Sequence, residues 1–301
     1  MFEELKEEII TLKKEKNAII VAHNYQNPEI QDIADFLGDS LELSKKAKQF
    51  ESDLIVFCGV RFMAESAKIL APDKTILLPN SDAGCPMADM ITADNVKMIR
   101  EQYPDHTIVA YVNTSAEVKA EVDICCTSAN AVDIVEKVPN DKIYFLPDKN
   151  LGTWVKRQTK KTVELWPGFC FVHNRMTTTD VMSARTEHPD GVVIVHPEAP
   201  IDVLDLADAV LSTGQMIKYV ASSEKKKFLI GTEQGMIYKL KKDFPDKEFY
   251  TMGRIFTCSN MKKTTLQDVK HALETGREAI KLDKNLMDRA RKSLENMLML
   301  Y

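Results

Sequence analysis

The sequence predicts an α/β protein made of three homologous three-layer αβα subdomains, with parallel sheets arranged around a pseudo-threefold axis. Short β-branched runs alternate with amphipathic helical stretches along the 301 residues, as in parallel sheets that helices cover on both faces. The chain also repeats itself, because the strand-ending residues His23, Tyr111 and His196 recur at nearly equal intervals. Each repeat closes with a cysteine, which supports a repeat architecture.

The elements follow the same order in each repeat. Apolar runs predict strands at 19–22, 54–58 and 75–78, then 107–112, 143–146 and 163–165, and then 192–196, 228–231 and 248–251. Helical periodicity predicts, in the first repeat, helices at 30–37, 40–50 and 63–70. The tail 266–300 is helical in pattern, and we expect it to pack back on the first repeat. The predicted subdomains are 1–84, completed by C-terminal helices within 262–301, then 85–170, and 171–261.

Composition and charge exclude several classes of protein. The net charge of −5 gives no support for nucleic-acid binding, and no apolar run approaches the roughly 18 residues of a membrane span. Residues 1–16 alternate Glu and Lys around spaced apolar residues, which indicates an amphipathic helix rather than a signal peptide. The six cysteines form no Cys-x-x-Cys pair, which favours a reducing compartment. We therefore expect a cytoplasmic protein without nucleic-acid or membrane partners.

Polar residues follow the first strand of each repeat, at the sheet edge where parallel α/β folds bind ligands. They are His23, Asn24 and Tyr25, then Tyr111 and Asn113, and then His196 and Glu198. Around a pseudo-threefold axis they would converge on a central cavity, where we expect the active site. Glu198 and His196 could serve there as a base and its partner, although Glu198, between two prolines, could also simply close a loop.

Three hydroxyl residues stand at equivalent places before helical stretches. Ser40, Ser128 and Thr213 recur at the same intervals as the strand ends, and each is expected to be a helix N-cap. Any one of them could merely satisfy a backbone N–H group. Together they would aim three helix N-termini at one cavity, an arrangement that favours a ligand with several carboxylates or a phosphate.

The cysteines fall into two groups. Three lie in or beside apolar runs and are expected to be inert core thiols, namely Cys58, Cys125 and Cys126. The other three lie just past the last strand of each repeat, at Cys85, Cys170 and Cys258. Thiolates that meet at one point need a cation between them. Zinc with His173 as a fourth ligand is one solution, and an iron-sulfur cubane with one iron free to act as a Lewis acid in a dehydration is another. Spacing alone does not separate these options.

Nine runs of this sequence carry a resemblance to a known family. They are residues 23–26, 33–40, 57–65, 83–90, 111–114, 127–130, 166–173, 196–198 and 258–261. In this order and spacing the chain resembles the quinolinate synthase family of type A, over nearly its whole length. The resemblance implies a transferase of NAD biosynthesis that condenses iminoaspartate with dihydroxyacetone phosphate, losing phosphate and two waters to give quinolinate. It also implies an aspartate-oxidising partner enzyme that supplies iminoaspartate.

The resemblance further implies a cofactor and a set of site residues. The cofactor is a 4Fe-4S cluster with three cysteine ligands, Cys85, Cys170 and Cys258, which leaves the fourth iron open to substrate. The implied substrate-binding residues are His23, Ser40, Tyr111, Asn113, Ser128, His196, Glu198, Ser212 and Thr213. The implied catalytic residues are Glu198 and Tyr25 as base and acid, assisted by His23, His173 and His196.

The chain departs from the family pattern at two places. Cys258 is not followed by the further cysteines of a Cys-x-x-Cys-x-x-Cys run, so we expect no local thiol-disulfide switch there. Gly214 stands where many members have a serine, so one ligand hydroxyl is missing unless a backbone N–H group replaces it. Two other functions stay open on the residues alone. They are another iron-sulfur hydro-lyase acting on a dicarboxylate, and a metal-free protein that binds an anionic metabolite.

Overall fold

Three four-stranded parallel sheets make up the frame of the protein, which a computed structural model describes over residues 2–300. The strands of the first sheet are β1 Ala18–His23, β2 Phe36–Gly38, β3 Leu54–Cys58 and β4 Thr75–Leu77. Those of the second are β5 Thr107–Tyr111, β6 Ile124–Cys126, β7 Lys142–Leu146 and β8 Thr162–Leu165. The third has β9 Val192–Val195, β10 Ala209–Val210, β11 Lys227–Gly231 and β12 Glu248–Thr251. All three sheets share one order, β2-β1-β3-β4 in the first, which confirms the repeat and the predicted fold class.

Helices cover these sheets and connect the parallel strands. In chain order they are α1 Phe2–Glu15, α2 Pro28–Ile33, α3 Ser40–Ala47, α4 Arg61–Leu70, α5 Ala93–Gln102, α6 Ala116–Lys119, α7 Ala131–Lys137, α8 Lys149–Gln158, α9 Thr178–Glu187, α10 Ile201–Leu204, α11 Thr213–Ser222, α12 Gly235–Asp243, α13 Leu266–Thr275 and α14 Lys284–Leu300. The central strands of the sheets are mostly apolar and buried, and all four residues of β9 are buried. Among residues 2–300, no helix combines the length and the apolar character that a bilayer span requires.

The prediction of one helix over 30–37 is wrong. Helix α2 ends at Ile33, and the chain then forms the edge strand β2, which pairs with β1 through Val21 and Phe36. Between them, Asp35 accepts the N–H of Ile20 at 2.8 Å, which ties the chain to the central strand. Asp123 and Asp208 make the same bond to the central strands of the other sheets, also at 2.8 Å. The edge strands β6 and β10 follow these aspartates, and neither is in the predicted set.

The two C-terminal helices pack on different parts of the molecule. Helix α13 contacts α1 and β3 of the first sheet layer. Helix α14 contacts α4, and also β6, α6 and α7 of the second sheet layer. The C-terminal segment therefore bridges the first and second repeats instead of covering the first alone.

Candidate active site

A cavity of about 350 Å³ is lined by residues that follow strands of all three sheets. The predicted site residues that line it are His23, Tyr25, Ser40, Tyr111, Asn113, Ser128, His173, His196, Glu198 and Thr213, together with Cys85, Cys170 and Cys258. Ser212 does not line this cavity; it is fully buried at the start of α11. The three cysteines expected to be core thiols, Cys58, Cys125 and Cys126, are fully buried among apolar residues.

Each cavity cysteine opens a short helical turn. In every repeat its carbonyl accepts the N–H group four positions later, from Asp89 to Cys85 (3.2 Å), from Asn174 to Cys170 (2.9 Å) and from Lys262 to Cys258 (3.2 Å). Within each turn, backbone N–H groups also donate to the sulfur, from Met87 and Ala88 to Cys85, from His173 to Cys170, and from Asn260 and Met261 to Cys258. Such donors stabilise a thiolate, the form in which cysteine binds metals.

The same three thiols lie in surroundings that disfavour their charge. Burial raises the pKa of Cys85 to about 12, with further contributions from Cys258 and Glu198 nearby. Burial also raises the pKa of Cys170 well above its usual value, and that of Cys258. Three half-buried thiols with N–H donors aimed at their sulfurs fit a group that brings positive charge, because a cation would reverse these shifts. The residues therefore fit a metal centre or a cluster held by thiolates.

Glu198 is the centre of a buried hydrogen-bond network. The Tyr111 hydroxyl donates to Glu198 Oε1 at 2.6 Å, and His173 Nδ1 lies 2.7 Å from Glu198 Oε2. Burial would raise the pKa of Glu198, but the neighbouring His173 and His196 and the hydrogen bonds bring that pKa below its usual value. Glu198 is therefore held as a carboxylate. The liganding atoms of Cys170, His173 and Glu198 lie within 4.8 Å of one another, so this group could also hold a metal ion.

Two imidazoles and two phenols that line the cavity are kept neutral by their surroundings. Burial lowers the pKa of His23 to about 3 and that of His196 to about 3. Burial and the nearby Glu198 raise the pKa of Tyr25 and of Tyr111 well above the usual value. At neutral pH His23 and His196 are therefore neutral imidazoles, and Tyr25 and Tyr111 are protonated phenols, in the cavity that contains the Glu198 carboxylate.

Ser40 and Thr213 line the cavity, but the prediction that they are N-caps is wrong. The cap of α3 is Asp39, whose carboxylate accepts the N–H groups of the first helical turn, and the cap of α11 is Ser212, which accepts the N–H of Gln215. Both predicted caps are one position inside the helix. Because Asp39 and Ser212 use N–H groups of these helix starts, fewer remain to bind an anion than the sequence suggested.

Ser128 also lines the cavity without capping a helix. Helix α7 begins only after Asn130, whose side chain instead accepts the N–H of Thr127 at 2.6 Å. The Ser128 hydroxyl lies 3.2 Å from His196 Nε2 and is also hydrogen-bonded to Tyr111. It therefore joins residues of the second and third sheets.

Gly214 is packed closely against Asp39. A Cβ atom at Gly214 would lie 2.7 Å from Asp39 Oδ2, and the Gly214 N–H group donates to the same carboxylate. The N–H group that could have replaced the missing serine hydroxyl is therefore already used.

Two functional candidates were not apparent from the sequence. Thr232 Oγ1 lies 2.5 Å from the Tyr25 hydroxyl and 2.8 Å from His173 Nε2, so it connects these two side chains. Arg175 carries the only Lys or Arg side chain among the described residues that line the cavity. Its position two residues after His173, at the end of one of the family-like runs, was the available signal.

The fold and the cavity define the class of protein. It is an α/β enzyme with three equivalent parallel sheets, and residues of all three line one cavity that contains a buried carboxylate, imidazoles and thiols. The family model described as Quinolinate synthetase A protein matches residues 7–299. A quinolinate synthase of Caldicellulosiruptor saccharolyticus is 54% identical over 297 residues, which cover 98% of each chain. Those of Methanoregula boonei and Thermodesulfovibrio yellowstonii are 52% and 50% identical, over 98% of this chain and 98% and 97% of theirs. The chain therefore belongs to the quinolinate synthase family of NAD-biosynthetic enzymes.

Proposed function

We propose that the chain condenses iminoaspartate with dihydroxyacetone phosphate to quinolinate, with release of phosphate and two waters. The observation that carries this proposal is that three thiols, one from each repeat, line the same cavity as the buried carboxylate of Glu198. The family membership supports the choice of substrates, because the relatives are named quinolinate synthase.

We propose that Cys85, Cys170 and Cys258 hold a 4Fe-4S cluster. Their shared cavity, the helical turn that begins at each of them and the N–H groups aimed at each sulfur support this assignment. When bound, the cluster supplies an iron without a protein ligand, a Lewis acid for a substrate hydroxyl or carboxylate.

The side chains around Glu198 are suited to moving protons. Glu198, kept ionised by its neighbours, is the base that accepts a proton from the condensing substrate. Tyr25, which stays protonated, is the acid, and Thr232 orients its hydroxyl. His173 holds Glu198 in place through its 2.7 Å contact, while the neutral His23 and His196 assist.

The polar residues at the strand and helix ends would bind the anionic groups of the substrates. The cavity-lining residues assigned to this role are His23, Ser40, Tyr111, Asn113, Ser128, His196, Glu198 and Thr213. Asn113 Oδ1 is buried without a hydrogen-bond partner among the described atoms, as expected of an atom that accepts a hydrogen bond from a bound ligand. We do not assign Ser212 to substrate binding, because its hydroxyl caps α11. Arg175 adds a positive charge for a phosphate or carboxylate.

The same proposal includes the cellular location of the protein and a partner enzyme. A cytoplasmic location is supported by six cysteines that are all free. An enzyme that oxidises aspartate is the partner class that would supply iminoaspartate. Subdomain boundaries at residues 84/85 and 170/171 stay a prediction.

The test is an anaerobic preparation assayed with both substrates. We expect about four irons and matching sulfide per chain, and quinolinate formation that requires dihydroxyacetone phosphate. A preparation with stoichiometric zinc and no iron would contradict the cluster. Turnover of a dicarboxylate alone would instead identify a hydro-lyase, and binding without turnover in the metal-free protein would identify a metabolite-binding protein.

A further inference from the structure

The loops that carry Cys85, Cys170 and Cys258 are here called the cysteine loops. In every repeat, one equivalent backbone hydrogen bond connects the cysteine loop to the segment that follows the third strand. The donor lies three residues after the end of β3, β7 or β11, and the acceptor is the carbonyl of the residue two positions before the cysteine. The bonds are Arg61 to Ala83 (2.8 Å), Lys149 to Gly168 (2.8 Å) and Gln234 to Phe256 (2.9 Å). This bond holds the base of the loop, not the cysteine itself.

In the second and third repeats, a side-chain carboxylate also accepts the backbone N–H of the cysteine itself. Asp148 Oδ2 accepts the backbone N–H of Cys170 at 3.0 Å. Glu233 Oε1 accepts the backbone N–H of Cys258 at 3.2 Å. The two carboxylates stand at equivalent positions of the second and third repeats, each two residues after the end of the third strand. In the first repeat the equivalent residue is Val60, whose side chain has no hydrogen-bonding atom.

Both carboxylates are fully buried and are held from their other side as well. Asp148 Oδ1 accepts the N–H groups of Asn150 and Leu151, each at 2.8 Å, at the start of α8. Glu233 accepts the N–H of Gly235 at 2.7 Å and pairs with Lys262 at 3.1 Å. Each carboxylate therefore connects the rigid start of a helix to the amide of a cysteine.

We propose that Asp148 and Glu233 are positioning residues that hold the Cys170 and Cys258 loops so that both sulfurs face the cavity. The inference rests on the proposed function only where it concerns the cluster. The Cys85 loop depends on its backbone bonds instead. Neither carboxylate reacts with substrate in this role; each acts through the cysteine whose amide it binds.

The test compares Asp148→Asn and Glu233→Gln with the wild-type protein. A carboxamide has the same shape, but it can accept hydrogen bonds with only one of its two polar atoms, so one of the N–H groups meets a second donor. The matched control is Glu65→Gln, because Glu65 is also buried and accepts a helix-start N–H, that of Ala116 at 3.1 Å, but its described hydrogen bonds include none from a cysteine loop.

Amide hydrogen exchange, followed by mass spectrometry on both holoenzyme and chelator-treated protein, reports on each loop separately. We expect Asp148→Asn to speed exchange in residues 168–174 and Glu233→Gln to speed it in 256–262, each by about tenfold, with the other loop unchanged. Glu65→Gln should leave both loops at wild-type rates. Unchanged exchange in both loops, or equal acceleration throughout the chain, would overturn the proposal.

Iron loss to a chelator is the second measurement. We expect the absorption of the cluster to decay about tenfold faster in both variants than in the control. If Asp148→Asn does not fold, Glu233→Asp keeps the charge beside Lys262 but shortens the side chain, and it should give the 256–262 exchange pattern. A wild-type protein without iron would contradict the proposed function, while exchange in the metal-free protein would still decide the positioning role.

Discussion

The Tyr111 hydroxyl donates a hydrogen bond to Glu198 Oε1 at 2.6 Å, which joins the ends of the first strands of the second and third sheets. Both residues are buried, so this bond is protected from water. Glu198, the proposed base, is therefore positioned by a contact between repeats, and a substitution there should separate the chemistry from folding.

Glu198→Gln should keep the proposed cluster and lose product formation. A carboxamide fills the same space but cannot accept a proton, so we expect the rate of quinolinate formation to fall by about 10²- to 10⁴-fold. Anaerobic turnover is the measurement, and iron content and melting temperature are the controls. A variant that turns over at the wild-type rate would exclude the base role.

Replacing each cavity cysteine by serine should abolish both iron binding and turnover. The variants are Cys85→Ser, Cys170→Ser and Cys258→Ser, and the controls are Cys58→Ala and Cys126→Ala in the apolar core. The controls should retain iron, because their thiols are buried away from the cavity. Equal sensitivity of all five variants would remove the distinction between ligands and core thiols.

Gly235→Ala should destabilise the protein and disturb Tyr25. A Cβ atom at Gly235 would lie 2.7 Å from both the carbonyl carbon and the carbonyl oxygen of Tyr25, and backbone atoms cannot easily move away. We expect the free energy of unfolding to fall by about 1–3 kcal/mol in urea titrations of the metal-free protein. Gly84→Ala is the control, since no atom lies within 4 Å of its Cβ position. Equal stability of Gly235→Ala and the control would contradict the close contact.

Acid should destabilise the metal-free protein through His23. Burial lowers its pKa in the folded state to about 3 from an ordinary value of 6.5, so between these pH values the unfolded chain binds the proton more readily. The stability it contributes is complete above pH 6.5 and is lost as the pH falls towards 3. We expect about 1.4 kcal/mol per pH unit within this window.

The control for this pH dependence is His23→Asn, whose side-chain oxygen can still accept the N–H of Tyr25, as His23 Nδ1 does at 3.1 Å. Urea titrations at several pH values should give a shallower slope for the variant. Identical slopes for the two proteins would show that His23 does not titrate on unfolding.

The repeat made most of the fold predictable, and its shortest elements were the exception. The central strands are long enough for an apolar run to identify them, whereas β10 has only two residues, too few for any periodicity. A usable signal was nevertheless present, because Asp35, Asp123 and Asp208 recur at the repeat interval, each just before an edge strand. Each binds the central strand, and so each marks where the edge strand begins.

The sequence predicted most of the functional candidates that line the cavity, but not which hydrogen bonds they make with one another. The cysteines and strand-end residues could be found from their spacing. A hydroxyl residue before a helix predicts an N-cap at Ser40 and at Thr213, but Asp39 and Ser212, each one position earlier, take that role. The role of Thr232 depends on how Tyr25 and His173 approach it from other parts of the chain, which no local pattern encodes.

The arrangement of the thiols, one contributed by each sheet, has a consequence for biogenesis. A nascent chain that has completed only its first two repeats presents Cys85 and Cys170 but not Cys258. The proposed cluster, which takes one ligand from each repeat, would thus be completed only after the last repeat is translated and folded. Under the proposed three-cysteine ligation, a chain that stops before its last repeat lacks one ligand of the cluster and cannot complete it.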